Sequence, residues 1–192
     1  MSSVIQVNRI YLIFNPVHFL VDSSELTIMA NQTKTNAIRL LERAKLAFEV
    51  IPYTVDENNL AATHIADELG EDIRRVFKTL VLHGDKCGYF VCVIPGDREV
   101  DLKKAARAAG AKKAEMIPMK DLLPTTGYIR GGCSPVGMKK PFPTFFDETA
   151  LQFDFIYVSG GQRGLQIKIA PETLIAFVGA KTLDLTKDTE EI

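Results

Sequence analysis

The sequence predicts a mixed α/β fold with much antiparallel pairing. Two pairs of apolar segments, residues 78–83 with 89–94 and residues 155–159 with 165–169, are each joined by a short glycine-containing loop, which is typical of β-hairpins. Helical patterns lie between these hairpins, but they do not alternate regularly with single strands. A doubly wound nucleotide-binding fold needs that alternation, so it is not expected.

The helices are predicted from apolar residues at helical spacing and from the residues that start or stop a helix. Polar caps satisfy the free amides of the first turn, and glycine lets the last turn close. In chain order, the predicted helices begin at Thr35-Asn36, cover residues 60–69 with Gly70 as the stop, run from Asp101 to Gly110, form a turn at 119–123, and run from Pro171 to Gly179.

Three further strands are predicted outside the hairpins. Phe48, Val50 and Pro52 alternate with other residues, and a proline in a strand favours the edge of a sheet because it cannot donate to a central ladder. Residues 113–117 and 144–146 are also predicted as short strands.

Length and composition limit the class of protein. The chain has 192 residues, 46% apolar and 24% charged, which fits one globular domain with a hydrophobic core. Its formal net charge of −1 excludes a bulk polyanion binder, so any nucleic-acid contact must come from a local basic patch. No apolar run is long enough to span a membrane.

Cysteine and histidine usage argues against a disulfide framework or a metal site. The three cysteines form no Cys-x-x-Cys pair, and the three histidines are scattered singly. This pattern fits a reducing cytoplasm. We therefore expect a cytoplasmic protein with no metal and no cofactor.

One folded domain is expected over residues 31–187, with a short tail at 188–192. Residues 10–21 are apolar-rich but interrupted by polar residues and a proline, so they do not resemble a signal peptide. Met29-Ala30-Asn31-Gln32 is typical of a natural protein start. We predict that residues 1–28 are an upstream extension and that residues 1–30 lie outside the fold.

The densest loop signal is Gly131-Gly132-Cys133-Ser134-Pro135-Val136-Gly137, which Lys139-Lys140 follows closely. Glycine places no side chain between a ligand and the backbone amides. Successive free amides can hold an anion or a carbonyl oxygen that gains charge. An exposed turn with a solvated basic tail fits the same residues, so both interpretations stay open here.

Lys78 and a second glycine-rich turn could join that loop in one site. Lys78 stands in the apolar segment Val76-Phe77-Lys78-Thr79-Leu80, where a lysine is either an edge residue that reaches water or a functional cation. The turn Ser159-Gly160-Gly161-Gln162-Arg163-Gly164 is a plain hairpin turn or a source of a hydroxyl and a forked guanidinium.

Four basic pairs are each typical of a solvated face. Together they could follow a nucleic-acid backbone if the fold gathered them around one opening. The pairs are Arg74-Arg75, Lys103-Lys104, Lys112-Lys113 and Lys139-Lys140.

Several common catalytic motifs are absent from the sequence. It contains no phosphate-binding loop, no dinucleotide fingerprint and no Gly-x-Ser-x-Gly nucleophile elbow. Cys133 lies in the glycine loop, but no histidine lies near it in the sequence. We favour a Cys133 that takes no part as a nucleophile.

Taken together, five blocks resemble the YbaK/EbsC proteins, which are free-standing relatives of the editing domain of bacterial prolyl-tRNA synthetase. The resemblance covers about residues 33–186, and five blocks in register are far more specific than any one. The blocks are Phe77-Lys78-Thr79, Asp101-Leu102-Lys103-Lys104, Gly127-Tyr128, the loop from Gly131 to Gly137, and Ser159-Gly160-Gly161-Gln162-Arg163-Gly164-Leu165.

The resemblance implies a compact mixed sheet, partly closed like a barrel and flanked by helices. It also implies an aminoacyl-tRNA deacylase that clears Cys-tRNA(Pro) and Cys-tRNA(Cys) by acting on the acceptor end, together with prolyl-tRNA synthetase. The family mechanism is substrate-assisted: the thiol of the esterified cysteine attacks its own carbonyl and gives a cyclic thioester and free tRNA.

Residue roles follow from the same resemblance. The essential lysine of the family falls on Lys78, and Gly131 begins the glycine loop. We assign the backbone amides of Gly131 to Ser134 to the carbonyl oxygen of the ester. Lys78 is assigned to the terminal adenosine or the ester region. The residues assigned to substrate binding are Tyr53, Thr79, Gly132, Cys133, Ser134, Pro135, Ser159, Gly160, Gly161 and Arg163.

Two other functions stay open at this point. A deacylase for Ala-tRNA(Pro), or for another small amino acid, would need an enzyme-bound water because alanine has no thiol, and the pocket near Tyr53, Leu60 and Ala61 would decide. A non-catalytic tRNA- or nucleotide-binding module would hold the acceptor end without turnover.

Overall fold

A computed structural model describes residues 34–56 and 61–188. The predicted extension at residues 1–30, Leu60 of the second predicted helix, and residues 189–192 of the predicted tail lie outside the described residues. The helices are α1 Asn36–Arg43, α2 Ala62–Leu69, α3 Leu102–Ala108, α4 Met119–Thr126 and α5 Pro171–Val178. The strands are β1 Glu49–Pro52, β2 Phe77–Gly84, β3 Gly88–Pro95, β4 Ala114–Met116, β5 Thr144–Asp147, β6 Ile156–Ser159, β7 Leu165–Ile169 and β8 Lys181–Leu183.

The strands form two sheets, with orders β1-β7-β6 and β4-β2-β3-β5-β8. Both predicted hairpins are present, as β2–β3 and β6–β7, and β1 lies at an edge as expected. The predicted mixed, largely antiparallel fold is therefore confirmed. Strand β8, which the sequence did not indicate, and the parallel pairs β3–β5 and β5–β8 complete the larger sheet.

In the part of the chain that the structure describes, a single β-bridge joins the two sheets, so they do not close fully into a barrel. A parallel bridge pairs Val76, just before β2, with Tyr157 of β6. Within the described residues no further bridge joins these two strands, so they separate toward Lys78 and Ser159. This separation opens the space in which the candidate site lies.

The core lies on both faces of the larger sheet. Val91 and Val93 of β3 belong to the cluster that also contains residues of the smaller sheet, whereas Phe90, Cys92 and Ile94 belong to a second cluster on the opposite face. Because β3 is buried on both sides, its sequence is a continuous apolar run and does not alternate with polar residues.

Local signals set most helix boundaries. The Thr35 hydroxyl accepts a hydrogen bond of 3.2 Å from the amide of Ile38 and caps α1. Gly70 ends α2 with φ at 64°, a conformation that favours glycine. The turn predicted at 119–123 extends to Thr126 with Pro124 inside it. Within the described ranges no helix is long and apolar enough to cross a membrane.

Candidate active site

A cleft of about 980 Å³ lies where the two sheets separate. Its walls come from β2, the ends of β6 and β7, the start of α2, and the loops that follow β3 and α4. Five of the residues predicted for the site line it: Lys78, Thr79, Gly131, Cys133 and Ser159. The fold therefore brings three segments that are far apart in the sequence to one place.

Lys78 holds its ammonium group inside the cleft. Its Nζ donates a hydrogen bond of 3.0 Å to the carbonyl oxygen of Gly96. The side chain is half-buried, and this burial lowers its pKa, while the nearby carboxylates of Asp97 and Glu99 act in the opposite direction. Strand β4 pairs with β2 only from Leu82 to Gly84, so at Lys78 the described part of β2 is paired with β3 on one side and borders the cleft on the other.

Two residues of the cleft wall each carry a buried polar atom that has no partner among the described residues. The hydroxyl oxygen of Thr79 and the side-chain Oε1 of Gln166 make no hydrogen bond within the part of the chain that the structure describes. Both residues line the cleft. Buried polar groups are nearly always paired in native proteins, so these atoms mark a place where a ligand can bind.

The sequence analysis missed Gln166. It lies on β7 directly opposite Ser159 of β6 and is only 3% exposed. Strand alternation places Gln166 on the same face as Lys168, which predicts a solvent-facing residue. A glutamine that follows a glycine-rich turn was the available signal. Its burial depends on tertiary packing: Tyr157, on the same face of the smaller sheet, packs in a cluster with Ile65 and Ala66 of α2.

The two glycine-rich segments lie against each other. A Cβ placed on Gly132 would stand 3.0 Å from the Cα of Gln162, so any larger residue would push the two backbones apart by a few tenths of an ångström. Arg163 Nε also donates a hydrogen bond of 3.0 Å to the carbonyl oxygen of Arg130. These contacts hold the loop at residues 131–137 against the turn that connects β6 and β7.

Fewer backbone amides of the glycine loop are available to a ligand than the sequence analysis predicted. The amide of Gly132 donates to the carbonyl of Ile129 at 3.0 Å, so it closes the turn itself. The amides of Gly131 and Cys133 have no acceptor among the described residues, and both residues line the cleft. They are the amides best placed to meet a ligand oxygen.

Residues 134–136 of this loop are buried, and their hydrogen bonds stabilise the conformation of the loop. The Ser134 hydroxyl accepts a hydrogen bond of 3.2 Å from the amide of Val136, and the Tyr128 hydroxyl donates to the carbonyl of Val136. Ser134 is fully buried, and Pro135 is buried too, but neither lines the cleft. The alternative of an exposed turn is therefore wrong for residues 132–136, although Lys139 and Lys140 are exposed.

Cys133 is a buried thiol. Burial raises its pKa to about 12, so the thiol stays protonated near neutral pH. This agrees with the expectation that it is not a nucleophile.

Seven of the ten residues predicted to bind substrate do not line the cleft: Tyr53, Gly132, Ser134, Pro135, Gly160, Gly161 and Arg163. Tyr53 packs against a cluster that includes Ile65 and Val76, and those two residues do line the cleft. Tyr53 therefore supports the wall from behind.

The structure does not gather the four basic pairs around the cleft. Of their eight residues only Lys103 lines it. Arg74 pairs with Asp72, Arg75 with Asp154, and Lys104 with both Asp184 and Asp188. The remaining lysines and arginines on the described cleft wall are Lys78, Arg130 and Lys187, and none of them belongs to a basic pair.

Comparison with known proteins places this site in a family. A family model described as an aminoacyl-tRNA editing domain matches residues 56–177. A protein of Enterococcus faecalis, provisionally named Cys-tRNA(Pro)/Cys-tRNA(Cys) deacylase EbsC, is 49% identical over 155 residues, which are 81% of this chain and 94% of that protein. A proline–tRNA ligase of Fervidobacterium nodosum is 34% identical over 82 residues, 43% of this chain and 14% of the ligase.

A solved structure agrees with these matches. A protein provisionally described as a trans-editing enzyme for prolyl-tRNA synthetase superposes with a TM-score of 0.71 at 26% identity, over 80% of this chain and 96% of that one. The matches confirm the resemblance drawn from the sequence and the enzyme class it implied, aminoacyl-tRNA deacylase. The chain belongs to the aminoacyl-tRNA editing domain family.

Proposed function

We propose that this protein cleaves the ester of Cys-tRNA(Pro), and of Cys-tRNA(Cys), with the thiol of the substrate as the nucleophile. One observation carries the proposal: the half-buried Lys78 lines one cleft together with Gly131 and Cys133, whose amides have no acceptor among the described residues, and the described wall holds no activated nucleophile. No histidine of the described chain lines the cleft to activate Ser159, and Cys133 stays protonated.

The proposed step balances without any added reagent. The substrate sulfur forms a bond to the ester carbonyl carbon, and the bond from that carbon to the ribose oxygen breaks. The thiol proton passes to the ribose oxygen, which leaves free tRNA and a cyclic thioester of cysteine. The protein only has to hold a reactive conformer and stabilise the oxyanion, and positioning alone can lower a barrier by about 7–11 kcal/mol.

The oxyanion is assigned to the amides of Gly131 and Cys133. One donor of this kind contributes about 2.7–4 kcal/mol to transition-state stabilisation in other enzymes. The ammonium of Lys78 is assigned to the ester region, where its positive charge opposes the charge that develops on the carbonyl oxygen. Partial burial strengthens this effect because water screens the charge less.

The α-ammonium group of the substrate is assigned to the Oε1 of Gln166 and the hydroxyl of Thr79. Both atoms are buried acceptors without a partner among the described residues. An unsatisfied buried acceptor costs about 1–3 kcal/mol, and an ammonium donor removes that cost on binding. These acceptors are neutral. A carboxylate in their place would form an ion pair with Lys78 and compete with the substrate.

Selection of the tRNA is assigned to a partner, prolyl-tRNA synthetase. The net charge is −1, and the exposed cations on the described cleft wall are Lys103, Arg130 and Lys187, of which Lys187 is paired with Glu99, so this chain makes few phosphate contacts by itself. Affinity for tRNA should therefore be low and should decrease with salt. The synthetase supplies discrimination among tRNAs.

The test is deacylation of tRNA(Pro) charged with cysteine, S-methylcysteine, alanine or proline. Wild-type protein should release cysteine only, because S-methylcysteine has no free thiol. Lys78→Met, which keeps most of the side-chain volume, should lower the rate at least ~100-fold. Lys112→Met is the matched control, since Lys112 is exposed and does not line the cleft.

The other outcomes favour other functions. Turnover of Ala-tRNA(Pro) or of the S-methyl ester would require attack by water and would replace the proposed mechanism. Binding of every charged tRNA without turnover would leave only a binding module.

A further inference from the structure

We infer that the mouth of the cleft binds the terminal adenine base of the acceptor end on an apolar shelf formed by Leu102, Met116 and Met119. Lys103 and Arg130 then reach the phosphate that precedes this nucleotide. The inference rests on the proposed function and extends it from the ester to the nucleotide that carries the ester.

The apolar shelf is unusual in being both exposed and part of the cleft. Leu102, Met116 and Met119 are 40%, 43% and 56% exposed, and all three line the cleft. Leu123, one turn further along α4, is 50% exposed but does not line it. Clustered exposed apolar side chains beside a polar site indicate a surface that a ligand covers.

The register of the larger sheet separates the shelf from the ester site. Met116 pairs with Leu82, which lies four residues along β2 from Lys78. At about 3.3 Å per residue this is roughly 13 Å. One amino-acid residue spans at most about 3.6 Å, so a ligand that occupies both places must extend beyond its aminoacyl group.

The size of the cleft supports the same conclusion. Ligand pockets usually enclose roughly 300–1,000 Å³, and this cleft lies at the upper end of that range with about 980 Å³. A cysteinyl group alone would leave most of it unfilled. A ribose and a base that follow the ester would fill more of it.

The chemistry of the shelf suits the face of a base. Methionine is unbranched and polarisable, so its thioether adapts to flat rings, and unpaired bases bind by stacking on side chains. No ring of the described chain lies on the exposed part of the wall, because the single aromatic lining residue, Phe77, is buried. The shelf therefore offers contact without reading base edges, which fits the constant end of all tRNAs.

The charges around the mouth are complementary to a phosphate. Lys103 and Arg130 are exposed, and neither side chain forms an ion pair within residues 34–56 and 61–188. The two carboxylates on the wall already have partners: Glu99 pairs with Lys187, and Asp101 accepts from the amides of Lys103 and Lys104. The cations are thus free to meet the backbone of the acceptor strand.

The experiment combines a change in the protein with a change in the nucleotide. Binding of the trinucleotide 5′-CCA-3′ is measured by NMR titration against the same RNA with an abasic 3′ sugar. The proteins are wild type, Met119→Ser and the matched control Leu123→Ser. Loss of the base should weaken wild-type and Leu123→Ser binding by about tenfold, and Met119→Ser by much less, because base and shelf contact each other.

Deacylation of Cys-tRNA(Pro) gives a second readout. Met119→Ser should raise KM about fivefold and leave kcat near the wild-type value, since the base contact is present in ground and transition states alike. Equal coupling in Met119→Ser and Leu123→Ser would overturn the shelf. So would an effect of Met119→Ser that occurs only when prolyl-tRNA synthetase is present, because the surface would then dock protein.

The two proposals can fail separately. If wild type deacylates no aminoacyl-tRNA while the trinucleotide still couples to Met119, the proposed function fails and the shelf stands. If wild type deacylates Cys-tRNA(Pro) without that coupling, the proposed function stands and the shelf fails.

Discussion

Gln166 and Ser159 lie opposite each other in the β6–β7 pair, and only one of them is satisfied. The Ser159 hydroxyl accepts a hydrogen bond of 3.3 Å from the amide of Gly161, whereas Gln166 Oε1 is buried with no partner in the described part of the chain. A buried acceptor without a donor destabilises the native state. A fold that keeps one in a cleft has its acceptor ready for a ligand.

Gln166→Leu should therefore stabilise the protein while it impairs catalysis. We expect the free energy of unfolding to rise by about 1 kcal/mol, because the unsatisfied carbonyl is removed and the volume is nearly kept. We expect kcat/KM for Cys-tRNA(Pro) to fall about tenfold, as the α-ammonium loses an acceptor. Denaturant unfolding and deacylation kinetics measure the two effects.

A substrate without the ammonium group tests the assignment directly. Wild type should discriminate against N-acetyl-Cys-tRNA(Pro), and Gln166→Leu should discriminate much less. Gln152→Leu makes the same change at an exposed position and should alter neither property. Unchanged discrimination in Gln166→Leu would mean that the ammonium binds elsewhere.

The lowered pKa of Lys78 should appear in the pH dependence of stability. Between the native pKa and the ordinary value of 10.5, Lys78 is neutral in the native protein and protonated in the unfolded chain. The unfolded state then binds more protons, so stability rises with pH in this window. The burial cost of the charged form is fully present below the window.

Comparison with Lys78→Met isolates that effect. The free energy of unfolding of wild type should rise relative to Lys78→Met as the pH increases from neutral toward 10.5, because all other groups are shared. Chemical denaturation across this range gives the difference. A difference that stays constant with pH would show that Lys78 keeps an ordinary pKa in the native protein.

Gly132→Ala should separate the two glycine segments. Its Cβ would meet the backbone of Gln162 and Arg163 at 3.0–3.2 Å, so the loop must shift. The backbone must give by a few tenths of an ångström. Because a displacement of about 1 Å at a reacting centre can lower the rate about 100-fold, we expect this smaller shift to lower kcat about tenfold. Single-turnover deacylation measures it.

Gly110→Ala controls for the general loss of a glycine. Gly110 has a positive φ of 71° and open space around it, so alanine there strains the backbone without a collision. It should lower the thermal midpoint but leave the rate near wild type while the protein is folded. If both variants lost activity equally, the Gly132 contact would have no special role.

Cys133→Ala should retain activity. Burial raises the pKa of this thiol to about 12, so it is not the attacking group, and its backbone amide survives the substitution. We expect kcat/KM to stay within about threefold of wild type, a change of less than 1 kcal/mol in the barrier. A loss of about 100-fold in a protein with native circular dichroism would instead make Cys133 a participant.

Most of the local structure could be predicted because it depends on neighbouring residues. The two hairpins follow from apolar segments separated by glycine-rich turns, and the capped start of α1 follows from Thr35. β8 could not be predicted in the same way, since Lys181–Leu183 is a three-residue strand with exposed ends that pairs, within the described ranges, with β5 alone. Its strand character comes from its partner and not from its own sequence.

The residues of the candidate site also differ in whether local sequence could identify them. Lys78, Gly131 and Ser159 could be chosen from the sequence, because a lysine in an apolar strand and glycine-rich turns are local signals. Tertiary structure alone decided that Gln166 is buried beside them, that Gly132 uses its amide within the turn, and that Lys103 lines the cleft while Lys104 is held by Asp184. These outcomes depend on where two sheets part after a single bridge at Val76 and Tyr157, and strand periodicity fixes only which side chains share a face, not what covers that face.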